Sequence, residues 1–385
     1  MYKVHYLNKI SDKGTALWTE DYALGAAAEQ ADAILVRSAS MHEMEMPKDL
    51  LAIARAGAGV NNIPLTSCAD QGIVVFNTPG ANANGVKELA VCALLLAARN
   101  IIGGIEWAKS LAGTADVAKQ VEKGKSKFAG TELMGKTLGV IGLGAIGGLI
   151  ANTAIALGMN VIGCDPFLSV EGAWNLDHNI HRAATYDEIF EKSDYITLHV
   201  PATKDTKNMI CTENIAKMKD GAKIINLSRA DLVNAADLKA ALADGKISAY
   251  VTDFPTEEIL DGKNVVAIPH LGASTEESED NCAVMAAKEL DDYLQNGNIT
   301  NSVNFPNLSM PRSGNARICV LHANIPAIIT KITAALADEG LNIENMTSKS
   351  KGDNAYTVAD VANAPSADAV ARIASVEGIY KVRAI

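Results

Sequence analysis

The chain has 385 residues, 45 acidic and 34 basic side chains and a formal net charge of -11. A chain of this length is expected to form two or three domains, each with its own hydrophobic core. The acidic balance argues against nucleic acid or an anionic membrane surface as the main partner. Six cysteines without a CxxC pair favour free thiols in a reducing cytoplasm, and we expect no metal site.

The N-terminal region alternates strand-like and helix-like segments. The segments AILVRS and IVVFNTPG are short, rich in β-branched residues and closed by turn residues, which is typical of an α/β fold. The N-terminus lacks a signal-peptide pattern. The apolar segment 89–102 contains Arg99 and is too short to cross a bilayer comfortably, so we predict a buried helix there and no membrane partner. Residues 1–95 are assigned to this first α/β region.

A second and more regular α/β series begins after Gly135. Six nearly continuous apolar segments follow, from TLGVIGLG to VVAIPH. They predict parallel strands covered by helices on both faces, in a doubly wound, Rossmann-type sheet. We assign the nucleotide domain to 96–285 and a return segment with a linker to 286–310. The pattern over 316–385 predicts a separate βαββαβ module.

A glycine-rich turn follows the first strand of this series, at the opening of a helix. In LGVIGLGAIGG the glycines form GxGxxG, which lets the backbone approach a pyrophosphate at the helix N-terminus. Asp165, 18 residues past the last glycine, can accept hydrogen bonds from ribose hydroxyls and would repel a 2′-phosphate, so NAD is favoured over NADP. The candidate cofactor residues in the turn are Gly142, Gly144, Ala145, Ile146 and Gly147.

Three polar groups follow neighbouring strands of the predicted sheet. They are Arg229, then Glu257 or Glu258, and then His270. Ligands of open α/β sheets collect at the carboxyl ends of the strands. Histidine can remove a hydroxyl proton near neutral pH, a carboxylate can orient the imidazole, and arginine can hold a substrate carboxylate. Together with a dinucleotide site, they predict oxidation of a 2-hydroxy acid.

Several motifs resemble one known family. The segments GLGAIG, GCDPF, LHVPAT, NLSRADLV and PHLGASTEES are similar to those of the D-isomer-specific 2-hydroxyacid dehydrogenases, and the last 70 residues resemble an ACT domain. The resemblance implies a flavodoxin-like substrate-binding domain, whose first part is 1–95 and to which the chain returns in 286–310, with the NAD domain inserted into it. It implies that Arg229 binds substrate, Glu257 assists and His270 acts as acid and base. It also implies further cofactor contacts at His199, Val200, Pro201, Thr206, Ser228, Asp253 and Gly272.

Two segments depart from the family pattern. TDFPTEE is one residue short of the usual form, so the assisting acid is Glu257 or, on the other count, Glu258. We favour Glu257 because FPTE needs no internal gap. The same shift leaves Thr252 or Asp253 where the family has an aspartate near the nicotinamide. In GVKE, Lys87 adds a cation near the expected cleft.

The resemblance is strongest to the branch of the family that oxidises 3-phospho-D-glycerate to 3-phosphohydroxypyruvate with NAD, the first step of serine synthesis. A phosphorylated substrate needs donors beyond Arg229. The alternatives are a glyoxylate or hydroxypyruvate reductase and, from another class, an NADH-sensing transcriptional corepressor; the Arg, Glu and His set argues against the corepressor. Candidate substrate contacts are Arg37, Ser38, Gly59, Asn61, Asn82 and Lys87.

The first strand-to-helix turn of the C-terminal module contains VLHANIPAI. Its His322 and Asn324, with the later Asn342, match amino-acid ligands of the ACT domain in serine-inhibited members of that branch. We therefore predict that L-serine binds the module and slows the enzyme. The family's usual Pro-Gly is Pro326-Ala327 here, and the extra methyl group could crowd a ligand. The exposed apolar edge expected of a lone βαββαβ module, together with the family resemblance, suggests a homodimer or homotetramer.

Overall fold

A computed structural model describes residues 1–385, which form two compact units. The first comprises 1–82 and 276–385, and the second comprises 83–275. The predicted boundaries, after 95 and after 285, therefore lie 13 and 10 residues beyond those of the compact units. The helix Ala83–Ala98 packs on the helix Ala145–Ala156 and so belongs with the second unit.

The first unit contains a five-stranded parallel sheet with strand order β2-β1-β3-β4-β5, as expected for a flavodoxin-like domain. All four residues of β3 are buried because helices or other chain segments cover both faces of the sheet. The strands are β1 Tyr2–Tyr6, β2 Tyr22–Leu24, β3 Ala33–Val36, β4 Ala52–Arg55 and β5 Val74–Asn77. The helices of this part are Asp12–Thr15, Leu65–Asp70, Glu276–Asn296 and a 3-10 turn at Ala28–Gln30.

The second unit is the predicted Rossmann-type domain. Its parallel sheet has seven strands in the order β12-β11-β10-β9-β6-β7-β8, one more than predicted. The extra strand has only two residues. The strands are β6 Thr137–Ile141, β7 Asn160–Cys164, β8 His181–Arg182, β9 Tyr195–Leu198, β10 Ala222–Asn226, β11 Ile247–Thr252 and β12 Val265–Ala267.

The helices of the second unit include the apolar segment singled out in the sequence. It forms Ala83–Ala98, whose Ala93 and Leu94 are buried, and the chain bends before the next helix. No single helix is both long and apolar enough to span a membrane; only the pair Ala83–Ala98 and Ile101–Ser110, bent by 70°, reaches that length and composition together. The remaining helices are Val117–Gly124, Ala145–Ala156, Val170–Trp174, Tyr186–Lys192, Thr212–Lys217 and Ala235–Asp244, with 3-10 turns at Lys125–Phe128 and Ala230–Leu232.

The C-terminal module has the predicted element order, strand, helix, strand, strand, helix, strand. Its four strands form an antiparallel sheet with order β14-β15-β13-β16, which is compatible with an ACT module. The strands are β13 Ala316–Ala323, β14 Ile343–Lys351, β15 Asn354–Val361 and β16 Ile379–Ala384. The helices are Ile328–Asp338 and Ala367–Ala374.

Both faces of this small sheet are covered. Along β13, Ile318 and Val320 contact the core beneath the two helices of the module, whereas Cys319 and Leu321 belong to the core of the first unit. Alternate residues of a strand point to opposite faces, so β13 links two cores. The C-terminal sheet is thus an integral part of the first unit.

Polar contacts reinforce this packing. The hydroxyl of Tyr356 donates to the carbonyl of Gly297 at 2.6 Å, and Arg383 Nη2 donates to the carbonyl of Tyr293 at 2.6 Å. Arg317 is fully buried and lies against Asp360, with Nε to Oδ1 at 2.7 Å and Nη2 to Oδ2 at 3.0 Å. Arg317 and Asp360 satisfy each other, which is the condition for placing charges inside a core, whereas Nε and Nη1 of Arg383 are buried without a partner.

Candidate active site

The glycine turn of the second unit has the geometry that its sequence predicts. Gly142 lies at φ 90°, in the left-handed region, and a Cβ there would overlap the carbonyl of His199. A Cβ on Gly147 would overlap the carbonyl of Gly142, whereas Gly144 faces open space. The open position lies at the N-terminus of the helix Ala145–Ala156, where backbone N–H groups can receive a phosphate. The turn therefore fits a dinucleotide.

Two more predicted cofactor residues border this turn. Asp165 Oδ2 accepts from the N–H of Leu143 at 2.9 Å, which ties the acid to the glycine turn. His199 Nε2 lies 2.8 Å from Thr197 Oγ1, and its Nδ1 is buried without a partner. Burial lowers the pKa of His199 to about 3, so this imidazole is neutral at physiological pH. A neutral ring beside the turn is a structural element and not a proton carrier.

Other predicted cofactor residues are held by short hydrogen bonds at the carboxyl ends of β9 and β10. Thr206 donates to the carbonyl of Pro201 at 2.6 Å, which closes the loop that begins at Val200. Ser228 Oγ donates to the carbonyl of Leu198 at 2.7 Å. These bonds fix the loops next to the glycine turn on neighbouring strands. The prediction of cofactor contacts there remains an expectation.

The loop that carries Arg229 is held by a residue that the sequence did not single out. The buried Asn226 accepts the N–H groups of Ser228 and Arg229 through Oδ1, at 3.2 and 3.3 Å. Its Nδ2 donates to the carbonyl of Arg229 at 2.8 Å. Asn226 is the last residue of β10, and an asparagine at a strand end is the available signal, although most such residues only form turns.

Asp253 holds the loop after β12 in the same way. Its Oδ2 accepts from the N–H of Gly272 at 3.0 Å, while its buried Oδ1 has no partner. Burial raises the pKa of this carboxyl group. The hydroxyl of Thr252, in contrast, donates to the carbonyl of Asn226 at 2.9 Å. Of the two candidates left open by the sequence, Asp253 is the one with an acceptor atom free for a ligand.

Arg229 and His270 both lie against the aromatic ring of Phe254. The Arg229 guanidinium carbon is 5.8 Å from the centre of the Phe254 ring, and the Phe254 and His270 ring centres are 4.5 Å apart. A guanidinium over a ring face is weakly attracted to it, and paired rings limit rotation of the imidazole. Phe254, which no sequence motif assigned to the site, thus joins the predicted arginine and histidine into one cluster.

The predicted glutamate is not part of this cluster. Glu257 is exposed, and no hydrogen bond or ion pair joins it or Glu258 to His270. The pKa of Glu258 is lowered by hydrogen bonds from its own backbone and from Thr256. Both carboxylates are exposed, so neither is packed against the imidazole. The choice between the two glutamates therefore stays a prediction.

Candidate substrate residues in the first unit cluster after β3. Arg37 Nη2 forms an ion pair with Glu279 Oε1 at 2.7 Å. The backbone N–H groups of Arg37, Ser38 and Ala39 all donate to Asn8 Oδ1, at 2.9, 3.1 and 3.1 Å. Asn8, which the sequence analysis missed, thereby fixes the loop that presents Arg37 and Ser38.

The remaining substrate candidates differ in their surroundings. Asn61 is exposed, and Gly59 precedes it in the same loop after β4. Asn82 Oδ1 is buried without a partner. In the second unit, Lys87 Nζ donates to Asn84 Oδ1 at 2.6 Å. The asparagines and Lys87 carry side-chain donors, and Gly59 offers its backbone N–H group. Their contact with substrate remains a prediction.

Two of the three regulatory candidates share a cavity. His322 and Asn324 line a cavity of about 330 Å³ together with Ala327. His322 is buried, and its Nε2 lies 2.8 Å from Thr357 Oγ1. Burial lowers the pKa of His322. Ala327 lies at φ 63°, the left-handed region that glycine adopts most easily, so alanine in place of the expected glycine puts a Cβ on a backbone conformation that disfavours it.

Asn342 lies elsewhere, contrary to the expectation that all three line one face. It precedes β14, whose Ile343 pairs with Val361, and Val361 pairs with Ala316 at the start of β13. The cavity lies at the other end of β13, beyond His322. One copy of the module therefore cannot place Asn342 beside Asn324.

Comparisons with known proteins agree with this geometry. Residues 93–272 match the family model described as D-isomer specific 2-hydroxyacid dehydrogenase, NAD binding domain. The chain is 30% identical to the D-3-phosphoglycerate dehydrogenase of Haemophilus influenzae, over 89% of this chain and 83% of that protein. It is 31% identical to D-3-phosphoglycerate dehydrogenase 1 of Saccharomyces cerevisiae, over 84% and 71%. The chain belongs to the D-isomer specific 2-hydroxyacid dehydrogenase family, and its second unit contains the NAD-binding domain of that family.

Other relatives are longer or more distant. The chain is 37% identical to the D-3-phosphoglycerate dehydrogenase of Methanocaldococcus jannaschii but spans 56% of that protein, and it spans about half of several others. Among solved structures, NAD+-bound 3-phosphoglycerate dehydrogenase of Entamoeba histolytica has a TM-score of 0.61 at 28% identity, covering 79% of this chain and 98% of that one. D-mandelate dehydrogenase of Rhodotorula graminis, at 22% identity and a TM-score of 0.67 over 80% and 99%, shares the fold.

Proposed function

We propose that the chain is an NAD-dependent D-3-phosphoglycerate dehydrogenase. It would oxidise 3-phospho-D-glycerate to 3-phosphohydroxypyruvate, the first step of L-serine biosynthesis. The observation that carries this proposal is the likeness to the Haemophilus influenzae enzyme of that name. Because it covers 89% of this chain, it extends into the residues 316–385 of the C-terminal module. The cluster of Arg229, Phe254 and His270 supplies the chemistry.

Residues of the second unit would each have a separate role in the reaction. When bound, NAD supplies the acceptor for the hydride that leaves C2 of the substrate. His270 would take the proton of the C2 hydroxyl, and Arg229 would hold the substrate carboxylate through two parallel hydrogen bonds. Phe254, which lies against both side chains, would limit their movement. Asp253 Oδ1, buried and unpartnered, is the acceptor available to the carboxamide of the cofactor.

Glu257 would orient His270 only after a change of conformation. Its side chain is exposed and makes no contact with the imidazole. A carboxylate that reaches the second ring nitrogen would fix the tautomer and stabilise the imidazolium that forms. We keep Glu257 in this role, with Glu258 as the alternative.

The phosphate would be bound by cations and backbone donors. Arg37 and Ser38 follow β3, where Asn8 fixes the loop, and Arg37 would exchange its partner Glu279 for the substrate. Lys87, Asn61, Gly59 and Asn82 are the other proposed contacts. This exchange costs little, because both side chains are exposed and an exposed ion pair contributes only about 0–1 kcal/mol.

One assay tests the catalytic proposal. The purified chain is mixed with NAD and 3-phospho-D-glycerate, and NADH formation is followed by its absorbance, with glycolate and D-glycerate in parallel. We expect turnover with the phosphorylated acid at a kcat/KM at least tenfold above the others, since each charged hydrogen bond to the phosphate contributes about 1.5–3 kcal/mol. Equal rates would favour a glyoxylate or hydroxypyruvate reductase. No turnover on any acid would favour the corepressor.

We further propose that L-serine binds the C-terminal module and slows the reaction. The cavity with His322 and Asn324 supports a small polar ligand. Since Asn342 lies at the other end of the sheet, a third contact from this residue would come from a second copy of the chain. Serine should lower the rate with wild-type protein and lose this effect in Asn324→Ala. An unchanged rate at millimolar serine would remove the regulatory role.

We also propose a homodimer or homotetramer in the cytoplasm. All six cysteines are free thiols, as a reducing compartment would leave them. The helix-free face of the C-terminal sheet is covered by the chain itself, so the expected exposed apolar surface of a lone module gives no support to self-association. The proposed shared serine site does require a second copy. Sedimentation with and without serine would measure the subunit number.

A further inference from the structure

The first unit contains a second large cavity, away from the C-terminal module. It measures about 570 Å³ and lies along the helix Glu276–Asn296, with walls from the segments 80–81 and 298–301. Val284, Met285 and Lys288 of the helix face it, at the three- and four-residue spacing that puts side chains on one helix face. The cavity thus has an apolar floor and a charged rim.

A buried acid lines this cavity without a partner for one of its oxygens. Glu289 is 6% exposed, and its Oε1 accepts from Asn301 Nδ2 at 2.7 Å. Its Oε2 is buried and has no hydrogen-bond partner. Nearly all buried polar groups in proteins are paired, so an orphaned carboxyl oxygen in a cavity indicates a missing hydrogen-bond partner.

The charge of the neighbouring Lys288 indicates which class of ligand the cavity would bind. Lys288, at the exposed rim of the same cavity, forms no ion pair. We propose that the cavity binds a free α-amino acid, whose ammonium group donates to Glu289 Oε2 and whose carboxylate meets Lys288. The side chain of the ligand would lie on Val284 and Met285. This site is separate from the cavity of His322 and does not depend on the proposed dehydrogenase activity.

Binding at this site should be coupled to protons. Burial raises the pKa of Glu289 to about 8, so its carboxyl group is mostly protonated at neutral pH. The other charged side chains lining the cavity are Lys288 and Asp292, both from the helix; the segments 80–81 and 298–301 contribute no charged groups. An ammonium ligand requires the carboxylate, so it binds with release of a proton, and its affinity should rise between about pH 6.5 and 8.5.

The experiment uses the full chain and calorimetry with individual L-amino acids. At least one amino acid should bind, with a heat that varies with buffer ionisation enthalpy as proton release requires. In Glu289→Gln its affinity should fall at least tenfold, the scale of a lost charged hydrogen bond. Gln keeps the bond from Asn301, so the variant should fold. Lys288→Met, a change at the exposed rim, should weaken binding of the same ligand.

Three controls decide the outcome. Glu277→Gln, an exposed change on the same helix, should leave the affinity unaltered, and so should His322→Ala, which alters only the other cavity. The deaminated acid of the best ligand should not bind. The proposal is overturned if no amino acid binds, if binding survives Glu289→Gln, or if binding is lost in His322→Ala instead.

Discussion

The second unit and the C-terminal sheet hold their polar groups in opposite ways. In the second unit, the side chains proposed for catalysis are exposed, and Asn226 and Asp253 hold their loops through backbone groups. In the C-terminal sheet, Arg317 and Asp360 are buried and bind each other. The first arrangement leaves the functional side chains free to bind ligands. In the second, the polar side chains bind each other and stabilise the fold.

This difference predicts which substitutions separate activity from stability. Removing an exposed functional group leaves the core unchanged, so the cost should fall on the reaction. Removing one member of a buried pair leaves a charge without a partner, so the cost should fall on folding. A residue that violates this division would show that the two regions are less distinct than their burial indicates.

The largest effect is expected for His270→Ala. Loss of the proposed general base should lower kcat by roughly 10²–10⁴ with 3-phospho-D-glycerate. The melting temperature should stay near that of the wild type, because the histidine is exposed. Steady-state kinetics and thermal unfolding measure the two. His178→Ala, at another exposed histidine of the second unit, is the control and should retain full activity; a near-normal kcat in His270→Ala would remove the assignment.

The next effect is expected for Arg317→Ala. It removes the only charged partner of the buried Asp360, which keeps its hydrogen bonds from Ser313, and also removes the bond from Arg317 Nη1 to the carbonyl of Asn296, at 2.8 Å. The free energy of unfolding should fall by about 3–5 kcal/mol, the usual cost of breaking a buried ion pair. Urea unfolding followed by fluorescence measures it. Arg372→Ala removes an exposed partner of Glu339 in the same module and should change little; equal losses in the two variants would contradict the comparison.

Much of the fold could be predicted from the sequence because its signals are local. Continuous apolar segments identified the parallel strands, and the restart after 316 identified the module. The strand β8 was missed because its two residues, His181 and Arg182, are polar. The covered face of the C-terminal sheet was also missed, because Cys319 and Leu321 are apolar whichever core they face.

The site was predictable in its chemistry and less so in its contacts. Glycine positions follow from backbone geometry, so the GxGxxG turn could be predicted residue by residue. Phe254 was missed because an aromatic residue after a strand most often belongs to the core. Asn342 was misplaced because spacing along the chain does not tell which end of an antiparallel strand a residue occupies. The pairing of Glu257 with His270 depends on an exposed loop that no sequence pattern fixes.

Glu289, in the first unit, combines the two arrangements: it is buried, but only one of its two carboxyl oxygens has a hydrogen-bond partner. Its pKa is raised to about 8, above the usual 4.5, so the folded chain keeps a proton that the unfolded chain releases. Stability should therefore fall as pH rises from about 5 to about 8. Glu289→Gln should remove this loss, on the order of a few kcal/mol at pH 8, given about 1.4 kcal/mol per pKa unit. Urea unfolding at several pH values measures it. The control Glu277→Gln should show the same dependence of stability on pH as the wild type. If Glu289→Gln shows that dependence too, Glu289 ionises as freely in the folded chain as in the unfolded chain.

The smallest effect is expected for Ala327→Gly, at the edge of the cavity proposed for serine. Ala327 lies at φ 63°, a conformation that costs a residue with a Cβ about 1–2 kcal/mol relative to glycine. Glycine also gives the unfolded chain more conformational freedom, which offsets part of this stabilisation. The free energy of unfolding should rise by about 0.5–1 kcal/mol. Ala334→Gly, at an exposed position inside the helix Ile328–Asp338, should lower it by about 1 kcal/mol, because there the alanine is already right-handed. Stability changes of opposite sign in the two variants would distinguish the relief of backbone strain from a general effect of glycine. If Ala327→Gly also strengthens inhibition by serine, the methyl group restricts the ligand as well as the backbone; if it stabilises the chain without changing the response to serine, Ala327 affects only the folding of the module.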